Sequence, residues 1–130
     1  MGTAAAVMGD QITAQCEIHL IPNPGTGAAQ PAPPLPFASP LLQQTVSSVL
    51  ITGKPAAVQG SWGVNTPPHV GLHPADPYME PIQQVGRVVK GSGTVLIGGL
   101  PAACKASAST VCGGVPGSLN ASAMTVLIGS

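Results

Sequence analysis

Short apolar runs separated by glycine and proline recur along this chain. The stretch VLITGKPAA at 49–57 returns as VLIGGLPAA at 95–103, with seven of nine positions identical. Glycine in each copy can adopt the positive φ that a tight hairpin turn needs. We predict turns at 53–54 and 98–99, each joining two short strands. Many short strands between turn residues are typical of an all-β fold.

The two ends of the chain complete a third copy of this unit. TVLIGS at 125–130 resembles the outgoing strand, and AAAVMGD at 4–10 resembles the return strands PAAVQGS and PAACKAS. We therefore predict that the ends pair in space. The result is a small cone of three pseudo-repeated β-hairpins with pseudo-three-fold symmetry, in one domain spanning 1–130. Closure of the chain on itself also protects strand edges.

Irregular connections separate the three units. The segment 21–40 is rich in proline, which predicts an extended, polyproline-like loop. A second long connection covers 61–85, and a third, shorter one covers 108–118.

Composition limits what such a chain can do. Hydrophobic residues make up 44% and charged residues 6%, which favours a folded chain despite 17 Gly and 15 Pro. One Trp, one Tyr and one Phe supply few large core side chains, so little apolar surface can be buried. At about 25 cal/mol per Å² of buried apolar surface, such a core gives little stability, and we expect a cross-link such as a metal ion, a partner protein, or both. Zero net charge argues against binding nucleic acid.

The sequence also bears on location. No apolar run approaches the roughly 20 residues of a membrane helix. The start, MGTAAAVMGD, lacks the basic region of a signal peptide, which predicts synthesis in the cytoplasm without the general secretory route. Three cysteines, an odd number, do not suggest a disulfide framework.

All three histidines and two of the three cysteines lie in loops that follow the return strands: Cys16 and His19 after the first, His69 and His73 after the second, and Cys112 after the third. Because three such loops converge at one end of a three-fold cone, we predict a metal site near the apex, most simply a zinc ion with four ligands. The predicted ligands are His19, His69, His73 and Cys112, with Cys16 as the alternative to Cys112. The competing interpretation is that these histidines are loop residues with satisfied hydrogen bonds. Cys104 is predicted to be a buried, inert thiol.

Catalysis has little support in the sequence. Of the four acidic residues, Glu17 lies between two candidate ligands and could serve as a base for metal-bound water. Four protein ligands would close the metal to substrate, so we predict that the protein is not an enzyme. A small metallohydrolase with an exchangeable water is the alternative.

The chain resembles the PAAR-repeat family, named for a Pro-Ala-Ala-Arg motif. The match covers nearly the whole chain and rests on Pro55-Ala56-Ala57-Val58, Pro101-Ala102-Ala103-Cys104, Gly9-Asp10, Gly91-Ser92 before Thr94-Val95-Leu96-Ile97, and Cys112-Gly113-Gly114. The chain departs from the motif because Val58 and Cys104 replace the arginine, and because Gly60-Ser61 and Ala106-Ser107 stand where Gly-Asp is expected.

The resemblance implies a sharp β cone, one copy of which caps the trimeric spike of a contractile injection system. Such systems include type VI secretion, phage tails and extracellular, phage tail-like particles. The resemblance also implies zinc near the tip, bound by three His and one Cys, which correspond to His19, His69, His73 and Cys112.

The resemblance and the hairpins together predict the partners. The wide base would bind a trimeric spike protein of the valine-glycine-repeat or phage type, and the tip would briefly contact the target membrane during piercing. The predicted base residues are Val49, Leu50, Ile51, Val95, Leu96, Ile97, Val126, Leu127 and Ile128. The protein would be assembled into the particle and delivered outside the cell or into the target. The alternative function is a zinc-stabilised adaptor that attaches effector cargo through 21–40 or 61–85.

Overall fold

The computed structural model describes residues 2–112 and 114–129, in which the secondary structure is fourteen β-strands and one short 3-10 turn at Pro81–Gln83. The strands are β1 (Gly2–Ala5), β2 (Gln11–Cys16), β3 (Leu20–Pro22), β4 (Ala29–Pro31), β5 (Leu35–Pro40), β6 (Val46–Ile51), β7 (Lys54–Ala56), β8 (Trp62–Val64), β9 (Val85–Lys90), β10 (Leu96–Ile97), β11 (Leu100–Pro101), β12 (Ala108–Val111), β13 (Val115–Asn120) and β14 (Ala123–Gly129). The predicted all-β class is therefore confirmed. Within the described ranges, no helix has the length and hydrophobicity needed to cross a membrane.

Three antiparallel hairpin pairs form from the repeated units. They are β6 with β7, β10 with β11, and β14 with β1. Thr3 lies opposite Ile128, so the predicted pairing of the two ends is confirmed. Ser130 of the closing TVLIGS, like Gly113 of the family match, lies outside the described residues.

The hairpin turns use two consecutive residues with positive φ. Gly98 and Gly99 have φ of 60° and 83°, as the sequence predicts for the second turn. In the first hairpin these positions are Thr52, at 51°, and Gly53, at 83°. The first turn therefore lies one residue earlier than predicted, and Lys54 instead pairs with Ile51 as the first residue of β7.

A closed cycle of backbone hydrogen bonds joins the three return segments. Ala57 N donates to Ala6 O at 3.1 Å, and Ala103 N donates to Ala57 O at 3.0 Å. Ala6 N donates to Ala103 O at 3.1 Å and completes the cycle. All three alanines are almost completely buried, since only a small side chain fits where three backbones meet. Three-fold symmetry of the whole molecule and its conical outline remain predictions.

The largest sheet has six strands in the order β5-β2-β13-β12-β9-β8 and is nearly closed, like a barrel. Its two outer strands, β5 and β8, lie close together, and Thr66 N, two residues after β8, donates to Ala38 O of β5 at 2.8 Å. A Cβ atom on Gly63 would lie 1.6 Å from Pro40 O, so only glycine fits at this closure.

The proline-rich segment differs from the prediction of a polyproline-like loop. Residues 35–40 form β5, which pairs with β2 from Gln11 to Cys16. The preceding residues form a separate hairpin of β3 and β4. Asn23 closes its turn, because its Oδ1 accepts hydrogen bonds from Gly25 N and Thr26 N. Proline is compatible with strand positions that donate no ladder hydrogen bond, and the segment therefore extends the sheet.

The described residues form two hydrophobic cores, and the three alanines of the cycle belong to one of them. The hairpin core contains Ala5, Val7, Ile51, Ala56, Val58, Ile97, Ala102, Cys104, Ala123 and Ile128. The sheet core contains Ala6, Ile12, Cys16, Phe37, Leu41, Ala57, Val88, Ala103, Val111, Cys112 and Leu119. Successive residues of each return segment alternate between the two cores, as side chains of an extended chain do. Cys104 is buried in the hairpin core, as predicted.

Candidate metal centre

Four buried residues with metal-binding side chains converge at one end of the six-stranded sheet. Cys16 ends β2, Cys112 directly follows β12, and β13 lies between these two strands. His19 immediately precedes β3, and His69 belongs to the connection between β8 and β9. One potential ligand atom from each residue lies within 4.8 Å of the other three. The cluster could therefore bind a single metal ion.

The distances within the cluster fit tetrahedral coordination. Two sulfurs at about 2.3 Å from a tetrahedral metal lie about 3.8 Å apart, and a sulfur and an imidazole nitrogen lie about 3.6 Å apart. The Sγ atoms of Cys16 and Cys112 are 3.9 Å apart. His19 Nε2 lies 3.6 Å from Cys112 Sγ. Both separations agree with ligands that share one central ion.

His69 supplies an independent indication of a ligand. Its Nε2 atom is buried and has no hydrogen-bond partner among the described residues. A buried polar atom without a partner costs about 1–3 kcal/mol, so such atoms are uncommon. The His69 ring packs edge-on against His19, with ring centroids 4.8 Å apart. A metal ion beside both rings would satisfy this nitrogen.

The two thiols titrate as a pair. The hydrogen bond with Cys112 lowers the pKa of Cys16 against the opposing effect of burial, and contacts with His69 and His19 act in the same direction. The same hydrogen bond and burial raise the pKa of Cys112. One thiolate therefore forms readily and the second is opposed by like charge. A bound cation would stabilise both thiolates.

Cys112 also has an unusual backbone. Its φ of 46° lies in the left-handed region, which residues with a Cβ atom rarely adopt. Such conformations cost about 1–3 kcal/mol and are concentrated at functional sites. The strained turn after β12 brings the thiol into the cluster.

His19 is held by the carboxylate of Asp76. His19 Nδ1 lies 3.0 Å from Asp76 Oδ2, and both side chains are almost fully buried. Burial opposes ionisation of Asp76, yet hydrogen bonds from the backbone N–H groups of Leu20 and Tyr78, with that from His19, lower its pKa. An ionised Asp76 can accept a hydrogen bond from Nδ1–H of His19, which leaves Nε2 facing the cluster.

His69 is held through its backbone by Gln84, which is completely buried. Gln84 Oε1 accepts hydrogen bonds from His69 N at 2.8 Å and from Asn65 Nδ2 at 3.0 Å. Its amide nitrogen donates to His69 O and to Tyr78 O. One polar side chain thus keeps this part of the connection ordered around the ligand.

These supporting residues were not found from the sequence. Asp76 carried one weak signal, as an acidic residue near the histidines in a chain with few charges. Gln84 and Asn65 carried none, because polar residues in a connection are ordinarily exposed.

His73 lies outside the cluster, contrary to the predicted ligand set. Its Nδ1 accepts a hydrogen bond from Ala75 N, and its Nε2 lies 3.2 Å from Gly27 O. Gly71, with φ of +75°, stands between His69 and His73 and redirects the chain. Cys16 occupies the fourth place, beside Cys112 rather than instead of it. The candidate set is therefore Cys2His2, and Glu17 is exposed.

The nine predicted base residues divide by exposure. Leu50, Leu96 and Leu127 are 61%, 65% and 64% exposed. The isoleucine that follows each of them is buried in the hairpin core. Of the preceding valines, Val49 is exposed, whereas Val95 and Val126 pack partly against that core.

No protein-family model, no curated protein and no solved structure matches the chain. The class of protein is therefore defined by its geometry, as an all-β protein with a buried Cys2His2 cluster that could bind a metal ion.

Proposed function

We propose that this protein caps the trimeric spike of a contractile injection system, as one copy per trimer, and sharpens the spike for piercing a target envelope. The proposal includes synthesis in the cytoplasm, assembly into the particle and delivery with the spike. It rests on the likeness to PAAR repeats described above and on one structural observation. That observation is the leucine triad, Leu50, Leu96 and Leu127, at matching positions of the three hairpins.

Equal exposure of the triad supports a partner with three equivalent surfaces. Each leucine pairs across its hairpin with the residue that begins the PAA or AAA segment: Pro55, Pro101 or Ala4. The alanine cycle links those same three segments through matching hydrogen bonds. Exposed large apolar residues that recur in this way favour an interface over chance exposure. Burial of each leucine would contribute about 1–2 kcal/mol.

We propose zinc as the metal, bound by Cys16, His19, His69 and Cys112. Four protein ligands of this kind are typical of structural zinc, and they leave no coordination position for a substrate. The proposed role is mechanical, without catalysis. The metal would join connections that are far apart in sequence beside the sheet core, to which Cys16 and Cys112 belong. Its binding free energy would stabilise the fold.

The test is assembly with a trimeric spike protein, measured as the mass of the complex by light scattering. The wild-type chain should form a complex of three spike chains and one copy of this protein. Leu50→Lys should weaken binding at least tenfold, because it places a charge in an apolar interface. The matched control is Ile82→Lys, at a residue 69% exposed in the connection that carries His69, and it should bind normally. Equal binding by both variants would contradict the proposal.

A cargo adaptor is the second candidate, favoured by the β3–β4 hairpin. This hairpin forms its own two-stranded sheet beside the six-stranded one. Replacing residues 23–28 by a shorter turn should leave β5 and its pairing with β2 intact, because these residues lie outside both strands. Loss of effector loading with normal spike assembly would support the adaptor function, and unchanged loading would exclude the turn of this hairpin as the attachment point.

A further inference from the structure

We propose that Asp76 is a positioning residue that selects Nε2 of His19 as the metal ligand and couples two connections of the chain to the metal. This inference rests on the metal centre proposed above. Asp76 is 3% exposed, belongs to the connection between β8 and β9, and contacts the ligand His19 rather than the cluster's centre.

The geometry sets the tautomer of His19. A neutral imidazole has one N–H donor and one acceptor nitrogen, and a carboxylate can only accept. With Asp76 Oδ2 at 3.0 Å from Nδ1, the proton stays on Nδ1. Nε2, 3.6 Å from Cys112 Sγ, then presents its lone pair to the cluster. Removal of this carboxylate takes away the acceptor that holds the proton on Nδ1.

Asp76 also joins the two connections that carry the histidines. Its Oδ2 accepts a second hydrogen bond from Leu20 N at 2.8 Å, and its Oδ1 accepts one from Tyr78 N at 2.7 Å. Nearby, His73 N donates to Leu20 O at 2.8 Å. Both oxygens of the carboxylate are therefore needed, and an amide, with one oxygen, can replace only one of them.

The chain offers a matched control in Asp10. Asp10 lies in the return segment that follows β1, and its buried carboxylate accepts hydrogen bonds from Val7 N in that segment and from the distant Ser122 N. In the other two return segments, Ser61 and Ser107 accept the matching backbone bond with a neutral hydroxyl. A neutral acceptor therefore suffices at this position, and Asp10→Asn changes the same chemical group away from the metal ligands.

The experiment compares the full chain with Asp76→Asn and Asp10→Asn by competition for zinc with a chromophoric chelator. Outer carboxylate partners of a ligating histidine typically change metal affinity roughly 10- to 100-fold. We expect a loss in that range for Asp76→Asn and less than about twofold for Asp10→Asn. Cobalt substitution checks that the variants keep both sulfur ligands. Sulfur-to-cobalt charge-transfer bands should persist in Asp76→Asn as long as both thiolates still bind the metal.

A second readout separates positioning from a purely structural role. Nitrogen-15 NMR of the imidazole should place the proton of His19 on Nδ1 in the zinc-bound wild-type chain. In zinc-bound Asp76→Asn, coordination through Nδ1 should appear beside coordination through Nε2. The measurement on the wild type tests the inference even if the variant fails to fold. A proton on Nε2 of His19 would overturn the inference.

The outcomes distinguish this inference from the proposed metal centre. Suppose that the wild type binds zinc, and that Asp76→Asn has the same zinc affinity and the same nitrogen-15 chemical shifts of His19. That result would overturn the role of Asp76 and leave the metal centre intact. A wild-type chain that binds no zinc would overturn the metal centre and the inference together.

Discussion

The Sγ atoms of Cys16 and Cys112 lie 3.9 Å apart, although 96 positions separate the two residues in the chain. Their proximity follows from the order of the sheet, in which only β13 separates β2 from β12. Both residues stand at the same end of these strands, and both are buried in the sheet core. This pair defines the candidate metal centre and leads to the first two predictions.

Both cysteines and only two of the three histidines should be required for zinc. Wild-type protein should contain one zinc ion per chain, whereas Cys16→Ala and Cys112→Ala should each bind at least tenfold more weakly, since each loses one of four ligands. His73→Ala should retain the metal, because that side chain is directed to Gly27 and Ala75. Elemental analysis with chelator competition measures all four proteins.

The control for that experiment is Cys104→Ala, which removes a thiol from the hairpin core without touching the cluster. Loss of zinc in His73→Ala with retention in Cys16→Ala would instead support the ligand set predicted from the sequence, His19, His69, His73 and Cys112.

Removal of the metal should allow oxidation of the Cys16–Cys112 pair. Hydrogen peroxide would accept two electrons and two protons from the two thiols, forming one disulfide and two molecules of water. Bound zinc should slow this reaction strongly, since the metal engages the thiolate lone pairs. Mass spectrometry should record a loss of about 2 Da and a peptide joining residues 16 and 112.

Cys104 provides the internal comparison in the oxidation experiment. Cys104 is buried in the hairpin core, whereas Cys16 and Cys112 belong to the sheet core. It should remain reduced, because neither of the other two thiols shares its core. A disulfide that includes Cys104, or equal rates with and without zinc, would argue against the shared site.

Chelation should also destabilise the fold. Without the ion, His69 Nε2 stays buried without a partner and the second thiolate is opposed by the first. A cost of several kcal/mol would lower Tm by about 10–20 °C in a chain of this size. Calorimetry with and without chelator measures the shift, which should be smaller in Cys16→Ala because that variant binds the metal more weakly. A chelator effect of equal size in that variant would indicate a different metal site.

Gly63→Ala should disrupt the closure of the six-stranded sheet. The added methyl would lie 1.6 Å from Pro40 O, a backbone atom that cannot move aside. We expect a loss of about 3 kcal/mol or more in the free energy of unfolding. The control is Gly93→Ala, where the new methyl meets no described atom within 4 Å and stability should change by less than about 0.5 kcal/mol. Denaturant titration compares the two, and similar midpoints would mean that β5 and β8 are not in close contact.

Much of the local structure was determined by the sequence. The repeated VLI-x-G pattern specified where hairpins form, because alternating side chains point to opposite faces and glycine admits positive φ at a turn. The burial of Ile51 beside the exposed Leu50 follows from that period of two. Pairing of the chain ends followed from the same repeat. Proline content misled for residues 35–40, since hydrogen bonding to β2 outweighs the local preference for an extended loop.

The composition of the metal cluster was decided only by the tertiary structure. The sequence identified the types of ligand and the loops that carry them, but it included His73 and offered Cys16 only as an alternative to Cys112. Which atoms meet depends on backbone direction and strand order. The positive φ at Gly71 separates His73 from His69, and the position of β2 brings Cys16 to Cys112. Asp76 and Gln84 support the cluster through hydrogen bonds to residues distant in sequence, and both are buried. Burial and these bonds exist only in the folded chain, so the sequence gives no sign of them.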